Sequence, residues 1–143
     1  MPALEGRYEM KISTTYGSSE EGIKNIIEKI GKSKIVAINT IPRTLLTRLT
    51  PHLKGKMVKV ILPVDDSADD VVKKIGEVAV SKARVYKDYK GIEADTGSVY
   101  FADRVFNITW VKDRILEIDT MEYDRCVKCM KEMFETGWKS SRK

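Results

Sequence analysis

Residues 18–62 read SSEEGIKNIIEKIGKSKIVAINTIPRTLLTRLTPHLKGKMVKVIL, and this stretch decides the fold class. Ser18 and Glu21 stand at capping-box spacing. Ile23, Ile26, Ile27 and Ile30 follow at helical steps before Gly31 offers a left-handed stop. Residues 34–39 then hold Ile35, Val36, Ala37 and Ile38 without alternation, as in a strand covered on both faces. Thr40 and Pro42 open a second helix on Leu45, Leu46 and Leu49, until Pro51, which has no amide donor, forces a break or a fresh first turn. Gly55 ends that excursion, and residues 57–62 are another apolar run, bounded by Pro63. Helix and strand alternate, so the strands they join are expected to be parallel neighbours.

Toward the amino terminus, residues 7–13 read as a strand with Tyr8, Met10 and Ile12 on one face, broken by residues 14–17. In the other direction, Asp65, Asp66 and Ser67 offer caps for a helix carrying Val71, Val72 and Ile75, with Gly76 placed to shorten it. After Ala79 the pattern changes. Residues 83–86, 98–102, 105–111 and 115–118 favour strands, separated by Gly91, Gly97 and aspartate-containing turns. Thr120 can cap a last helix in which Tyr123, Cys126, Val127, Met130, Phe134 and Trp138 recur at steps of three and four. The expectation is one α/β domain over residues 1–143: a mixed sheet, βαβαβα followed by strands and a C-terminal helix, with frayed ends at 1–6 and 140–143.

Hydrophobic content of 42% with 33% charged residues is that of a globular chain. The net charge of +5 and pI near 9.1 would suit a polyanion. The lysines alternate with acids, however, and form no basic block, so a solvated surface is the better reading. Two cysteines cannot form a disulfide scaffold, and the first residues carry no basic and apolar leader. No apolar run approaches the ~18 residues of a membrane span. The cytoplasm is the expected compartment, with no membrane partner.

No catalytic set assembles from the residues. Cys126 and Cys129 form a lone CxxC, read as mid-helix packing; a zinc site would need about four ligands, and the one histidine, His52, is far away in sequence. His52 and Lys54 begin an HxKxxxxD pattern, but Lys59 stands at the aspartate position. The glycines match neither a Rossmann nor a P-loop spacing. No metal or cofactor is expected. Polar residues do gather where the first three strands should end: Ser13, Thr14 and Thr15, then Asn39 and Thr40, then Asp65 and Asp66. Ligands of open α/β sheets bind at such carboxyl ends, so this cluster is a candidate ligand site, although turn and cap chemistry accounts for the same residues.

The element order, together with GIKNIIEKIGKSKIVAINTIPRTLLTRL, KGKMVKVILP, SVYFADRVFNITW and CMKEMFETGWKSS, resembles half of a phospholipase D-like fold. More specifically, it resembles the effector domain of TrmB-type archaeal transcriptional regulators. Laying the phospholipase D motif HxKxxxxD over TGSVYFADRVFNITW places its histidine on Thr96, its lysine on Ser98 and its aspartate on Asp103. A threonine cannot replace an attacking imidazole, and a serine brings no positive charge to a phosphoryl transition state. The resemblance therefore implies a non-catalytic domain with Thr96, Ser98 and Asp103 as ligand-site candidates.

TrmB-type regulators also carry a winged helix-turn-helix, whereas this sequence starts on a strand. DNA binding without that reader is not expected; a homodimer, or a complex with a transcriptional regulator, is. Two alternatives stay open. One is a degenerate phosphodiesterase or nuclease using Asp103 with Asp65, Asp66, Asp69 and Asp70. The other is charge-based nucleic-acid binding through Lys54, Lys56, Lys59, Arg84, Lys87 and Lys90.

Overall fold

A computed structural model of the chain describes residues 13–63, 68–78, 80–86, 94–111, 114–122 and 124–140. Its elements run β1 (Ser13–Thr15), α1 (Ser19–Gly31), β2 (Ile35–Asn39), α2 (Arg43–Leu49), a 3-10 turn (Thr50–Leu53), β3 (Met57–Pro63), α3 (Ala68–Val78), β4 (Val80–Tyr86), β5 (Ala94–Tyr100), β6 (Val105–Val111), β7 (Arg114–Met121) and α4 (Asp124–Ser140). The strands form one seven-stranded mixed sheet in the order β1-β7-β6-β5-β2-β3-β4.

Local chemistry accounts for the helices. Ser18 is extended and its Oγ accepts from the Glu21 amide at 3.2 Å, so the capping residue starts α1 as its spacing predicts. Ile23, Ile26 and Ile30 of α1 are buried against the sheet. Gly22 lets the helix come closer still: a Cβ there would lie 2.8 Å from Cβ of Ile118 on β7. The predicted left-handed stop at Gly31 is not used. Lys32 caps the helix in the right-handed region, and its amide and that of Ser33 donate to Lys29 O and Ile30 O. Lys56 Nζ adds donors to Ser33 O and Gly31 O, so the end carbonyls are satisfied without a glycine reversal.

Pro51 sits in the first turn of the 3-10 segment, as its missing amide dictates. Gly76 does not shorten α3, which continues to Val78. The caps expected at Asp65, Asp66 and Ser67, and the strand face of Tyr8, Met10 and Ile12, lie outside the described residues.

Two apolar layers sandwich the sheet. On one face α1, α2 and the 3-10 turn, with Ile75 of α3, pack on Val36, Ile38, Val58, Val60, Leu62, Val99, Phe106, Ile108, Trp110 and Ile118. On the other face α4 lays Val127, Phe134 and Trp138 over Ile61, Tyr100 and Val105. Val127, Phe134 and Trp138 of the stripe, with Met130 beside them, therefore meet the sheet; the Tyr100 and Phe134 rings are tilted with centroids 5.1 Å apart, and Phe134 and Trp138 stack at 6.1 Å.

Several expectations fail where pairing across the chain overrides local signals. β2, β3 and β4 are parallel neighbours, but β1 pairs antiparallel with β7 at the far edge. The break expected at residues 14–17 begins later, since Thr14 and Thr15 are paired. Gly97 is no turn: it lies inside β5 opposite Ile108. Thr120 does not cap the last helix. It lies in β7, buried, with its hydroxyl donating to the Tyr16 phenol at 2.8 Å, and α4 starts at Asp124. The CxxC consequently occupies the first two turns of that helix rather than its middle, with Cys126 half-buried and Cys129 exposed.

Thr40 is the one non-glycine with a left-handed backbone among the described residues, at φ 48°. It does not cap α2; Pro42 occupies that position. Its amide donates to Ile61 O at 2.9 Å and its carbonyl accepts from Trp110 Nε1 at 3.1 Å, and these bonds hold the strained turn. The Thr40 hydroxyl is buried and has no hydrogen-bond partner among the described residues. Thr40→Val keeps the branched shape and removes that orphan, so a gain of about 1 kcal/mol in urea unfolding is expected. A loss would show that the hydroxyl is satisfied.

Candidate functional site

The sheet register builds a lateral row on the face that carries α4. Asn39 on β2 pairs with Ser98 on β5, Ser98 with Asn107 on β6, Asn107 with Asp119 on β7, and Asp119 with Thr15 on β1. Side chains alternate along a strand, so all five share the face of Tyr100 and Val105. Ser98 Oγ donates to Asn107 Oδ1 at 3.1 Å, and Asn107 Nδ2 donates to Asp119 Oδ1 at 3.3 Å. The Tyr100 phenol joins through hydrogen bonds with Ser98 and Asn39; burial is the larger influence and raises its pKa above the ordinary value. Tyr100 is therefore a neutral hydrogen-bonding group here.

α4 covers only part of this face. Ser98 is buried, Asn39, Asn107, Thr109 and Asp119 are half-buried, and Thr96 and Glu117 are exposed beyond the helix. The result is a shallow polar surface of hydroxyl, amide and carboxylate groups, on which the lateral row contains no lysine, arginine or histidine.

Among the sequence candidates, Asn39, Thr96 and Ser98 come together, with Thr96 two residues along β5 from Ser98 on the same face. Ser13 and Thr14 lie on β1 beside Thr15, at the end of the row far from Asn39. Their strand is four strand spacings from β2, roughly 19 Å away. Thr40 is adjacent to Asn39 but buried in the turn behind it. Asp65 and Asp66 lie outside the described residues. Asp103 is at the opposite end of β5, beyond Tyr100, which roughly 14 Å of strand separates from Thr96. There it pairs with Lys29 at 2.9 Å and with Arg104 at 3.4 Å, and Arg104 reaches on to Glu122 at 3.0 Å.

Burial pushes the Asp103 carboxyl up, but the hydrogen bonds and charges of Lys29 and Arg104 outweigh it and hold the pKa below its ordinary value. A depressed folded pKa gives stability that is present above the unfolded value near 4 and lost as pH falls. Asp103→Asn should flatten the acid limb of the stability profile. The effect should be small, because the side chain is half exposed. An unchanged acid limb in pH-dependent urea unfolding would contradict the assignment.

Asn107 and Asp119 were missed in the sequence. The signal was present: in VFNITWV and RILEIDTM they are polar residues inside apolar strand segments, in phase with the face that meets α4. Which strand each would face depends on pairing.

The other constellations do not gather. His52 is exposed in the 3-10 turn. Among the described residues no group of three or more histidine, cysteine or acidic side chains could hold a metal ion. Lys56 caps α1, while Lys59 pairs with Glu135 and lies 5.3 Å over the Trp138 ring. Lys87 and Lys90, and the side chain of Arg84, lie outside what the structure describes. Among the described residues no helix is long and apolar enough to cross a membrane.

No family model and no curated protein matches the chain. Solved structures do. TrmBL2, an archaeal chromatin protein whose structure shows a novel mode of DNA binding, superposes with a TM-score of 0.63 at 13% identity, over 94% of this chain and 55% of its own. NucT from Helicobacter pylori superposes at 0.67 and 11% identity, over 91% of this chain and 96% of its own. Polyphosphate kinase from Porphyromonas gingivalis reaches 0.52 at 11% identity, over 88% of this chain and 23% of its own. The chain thus spans about half of TrmBL2 and nearly all of NucT. At these identities the likeness is one of fold: a single mixed α/β sheet covered by helices.

Proposed function

We propose that this chain is a non-catalytic, phospholipase D-like regulatory domain that senses a small neutral, hydroxyl-rich ligand on its polar row. The observation that carries the reading is the relay from Ser98 to Asn107 to Asp119. On this strand a phospholipase D-like enzyme would hold an imidazole nucleophile and a phosphate-binding lysine; this chain has Thr96 and Ser98. Ser98 is engaged with an amide, and the only charge in the row is the Asp119 carboxylate. A negative charge with no cation disfavours a phosphate. Amide, hydroxyl and phenol groups match a ligand that both donates and accepts hydrogen bonds.

The resemblance to TrmB-type regulators supports an effector role, in which the bound state is passed to a second copy of the chain or to a transcriptional regulator. Thermal unfolding with a panel of monosaccharides and polyols tests the reading. A concentration-dependent rise in Tm that Asn107→Ala abolishes is expected. Bis(p-nitrophenyl) phosphate, with and without magnesium or manganese, should show no turnover. Turnover lost in Asp103→Asn would replace the proposal with a degenerate phosphodiesterase. Light scattering that gives a strict monomer with and without the ligand would remove the second-copy route.

A further inference from the structure

A cavity of about 750 Å³ opens at the end of the sheet opposite Thr96, between the amino ends of β2 and β3, the last residues of β5, and α4. Its volume is that of a pocket for a small organic molecule. Ile35 and Met57 face each other in register across β2 and β3 on the side that α4 covers elsewhere, yet they are 65% and 57% exposed. Two adjacent large aliphatic side chains at the mouth of a concave pocket form an apolar surface that ligand burial would remove from water. Tyr100 and Phe134 wall the pocket.

Its charge is one-sided. Lys29, Lys32, Lys34, Lys59 and Lys131 line it, against the carboxylates of Asp103 and Glu135. Both carboxylates are already paired, Asp103 with Lys29 and Arg104, Glu135 with Lys59. Lys32 pairs with exposed Glu28. Lys34 and Lys131 have no side-chain partner among the described residues. The pocket therefore combines an aliphatic floor with uncompensated positive charge, and an anion with an aliphatic body complements both.

We propose that this pocket binds a free long-chain carboxylate, with the acyl chain over Ile35 and Met57 and the headgroup at the lysine rim. Three other occupants fit less well. Single-stranded nucleic acid needs exposed aromatic rings for base stacking, whereas Tyr100, Phe101 and Phe134 are all buried. A second copy docked on a two-fold axis would set the same lysines against each other. A membrane surface favours a protruding apolar face rather than a recessed one.

Isothermal titration of the intact protein with laurate tests this, with dodecanol, inorganic phosphate and anionic vesicles as comparisons. Laurate should bind, phosphate should not, and dodecanol should bind more weakly. Met57→Glu, at an exposed position, should weaken laurate more than about tenfold, and Lys131→Glu by roughly tenfold, with thermal midpoints near wild type. Lys131→Glu should leave dodecanol unaffected. No heat with laurate, or laurate affinity unchanged in the correctly folded Met57→Glu protein, would overturn the site. So would phosphate binding as well as laurate, binding to vesicles but not to free laurate, or a Met57-dependent dimer that accounts for the heat. The polar row is untouched by these substitutions, so its ligand responses stand or fall separately.

Discussion

Gly97→Ala is expected to destabilise the protein by at least about 3 kcal/mol, a large share of the roughly 5–15 kcal/mol that holds a domain folded. A Cβ at Gly97 would lie 2.4 Å from Thr40 O, 2.7 Å from Asn39 O and 2.9 Å from Thr40 C. All three are backbone atoms, so no rotamer change can relieve the overlap. The backbone they belong to is pinned on both sides, by Thr40 N donating to Ile61 O and by Trp110 Nε1 donating to Thr40 O. Moving it would break a bond to β3 or leave a buried indole N–H and carbonyl unpaired, each a costly state. Urea unfolding followed by circular dichroism measures the effect. A midpoint equal to wild type would mean that β5 and the β2 exit are not packed this closely.

Phe134→Ala should cost about 3–5 kcal/mol. Phe134 is the middle of three contacting rings and is buried between Tyr100 on the sheet and Trp138 one turn further along α4. Removing it opens a cavity under the helix and loosens the Trp138 contact that Lys59 covers. A titration accompanies the loss. Burial is the main cause of the raised Tyr100 pKa, so uncovering the phenol should bring it back toward about 10. With the wild-type residue, a raised folded pKa means that stability is full below about pH 10 and falls as pH rises through the folded value. The variant should lose this alkaline dependence along with its overall stability. Ultraviolet titration of the tyrosines together with denaturant melts at pH 8 and pH 11 would check both. Retention of the steep alkaline limb in Phe134→Ala would contradict the account.

Both predictions depend on contacts between residues far apart in sequence, and that is where sequence reading lost its hold. Elements fixed by neighbours were legible. The Ser18 cap and the isoleucine spacing located α1, the proline located the 3-10 turn, and Val127, Phe134 and Trp138 identified the buried face of α4. Glycine and threonine misled for a shared reason: each has two uses. Gly97 signals a turn by its freedom, but here its missing side chain admits a carbonyl. Thr120 has a capping hydroxyl, but its β-branch equally suits the strand in which it is buried.

The amino-acid sequence by itself determined the alternation of helices and strands and the buried faces of α1 and α4, because these follow from residue type and spacing of a few positions. Only the tertiary structure decided that β1 joins β7 and that Asn39, Ser98, Asn107 and Asp119 form one row. It also decided that Asp103 sits at the other end of its strand beside Lys29. Strand order and register are chosen by the packing of whole faces against α1 and α4. A single strand has period two and carries no label for its partner, so the row exists only once the sheet is assembled.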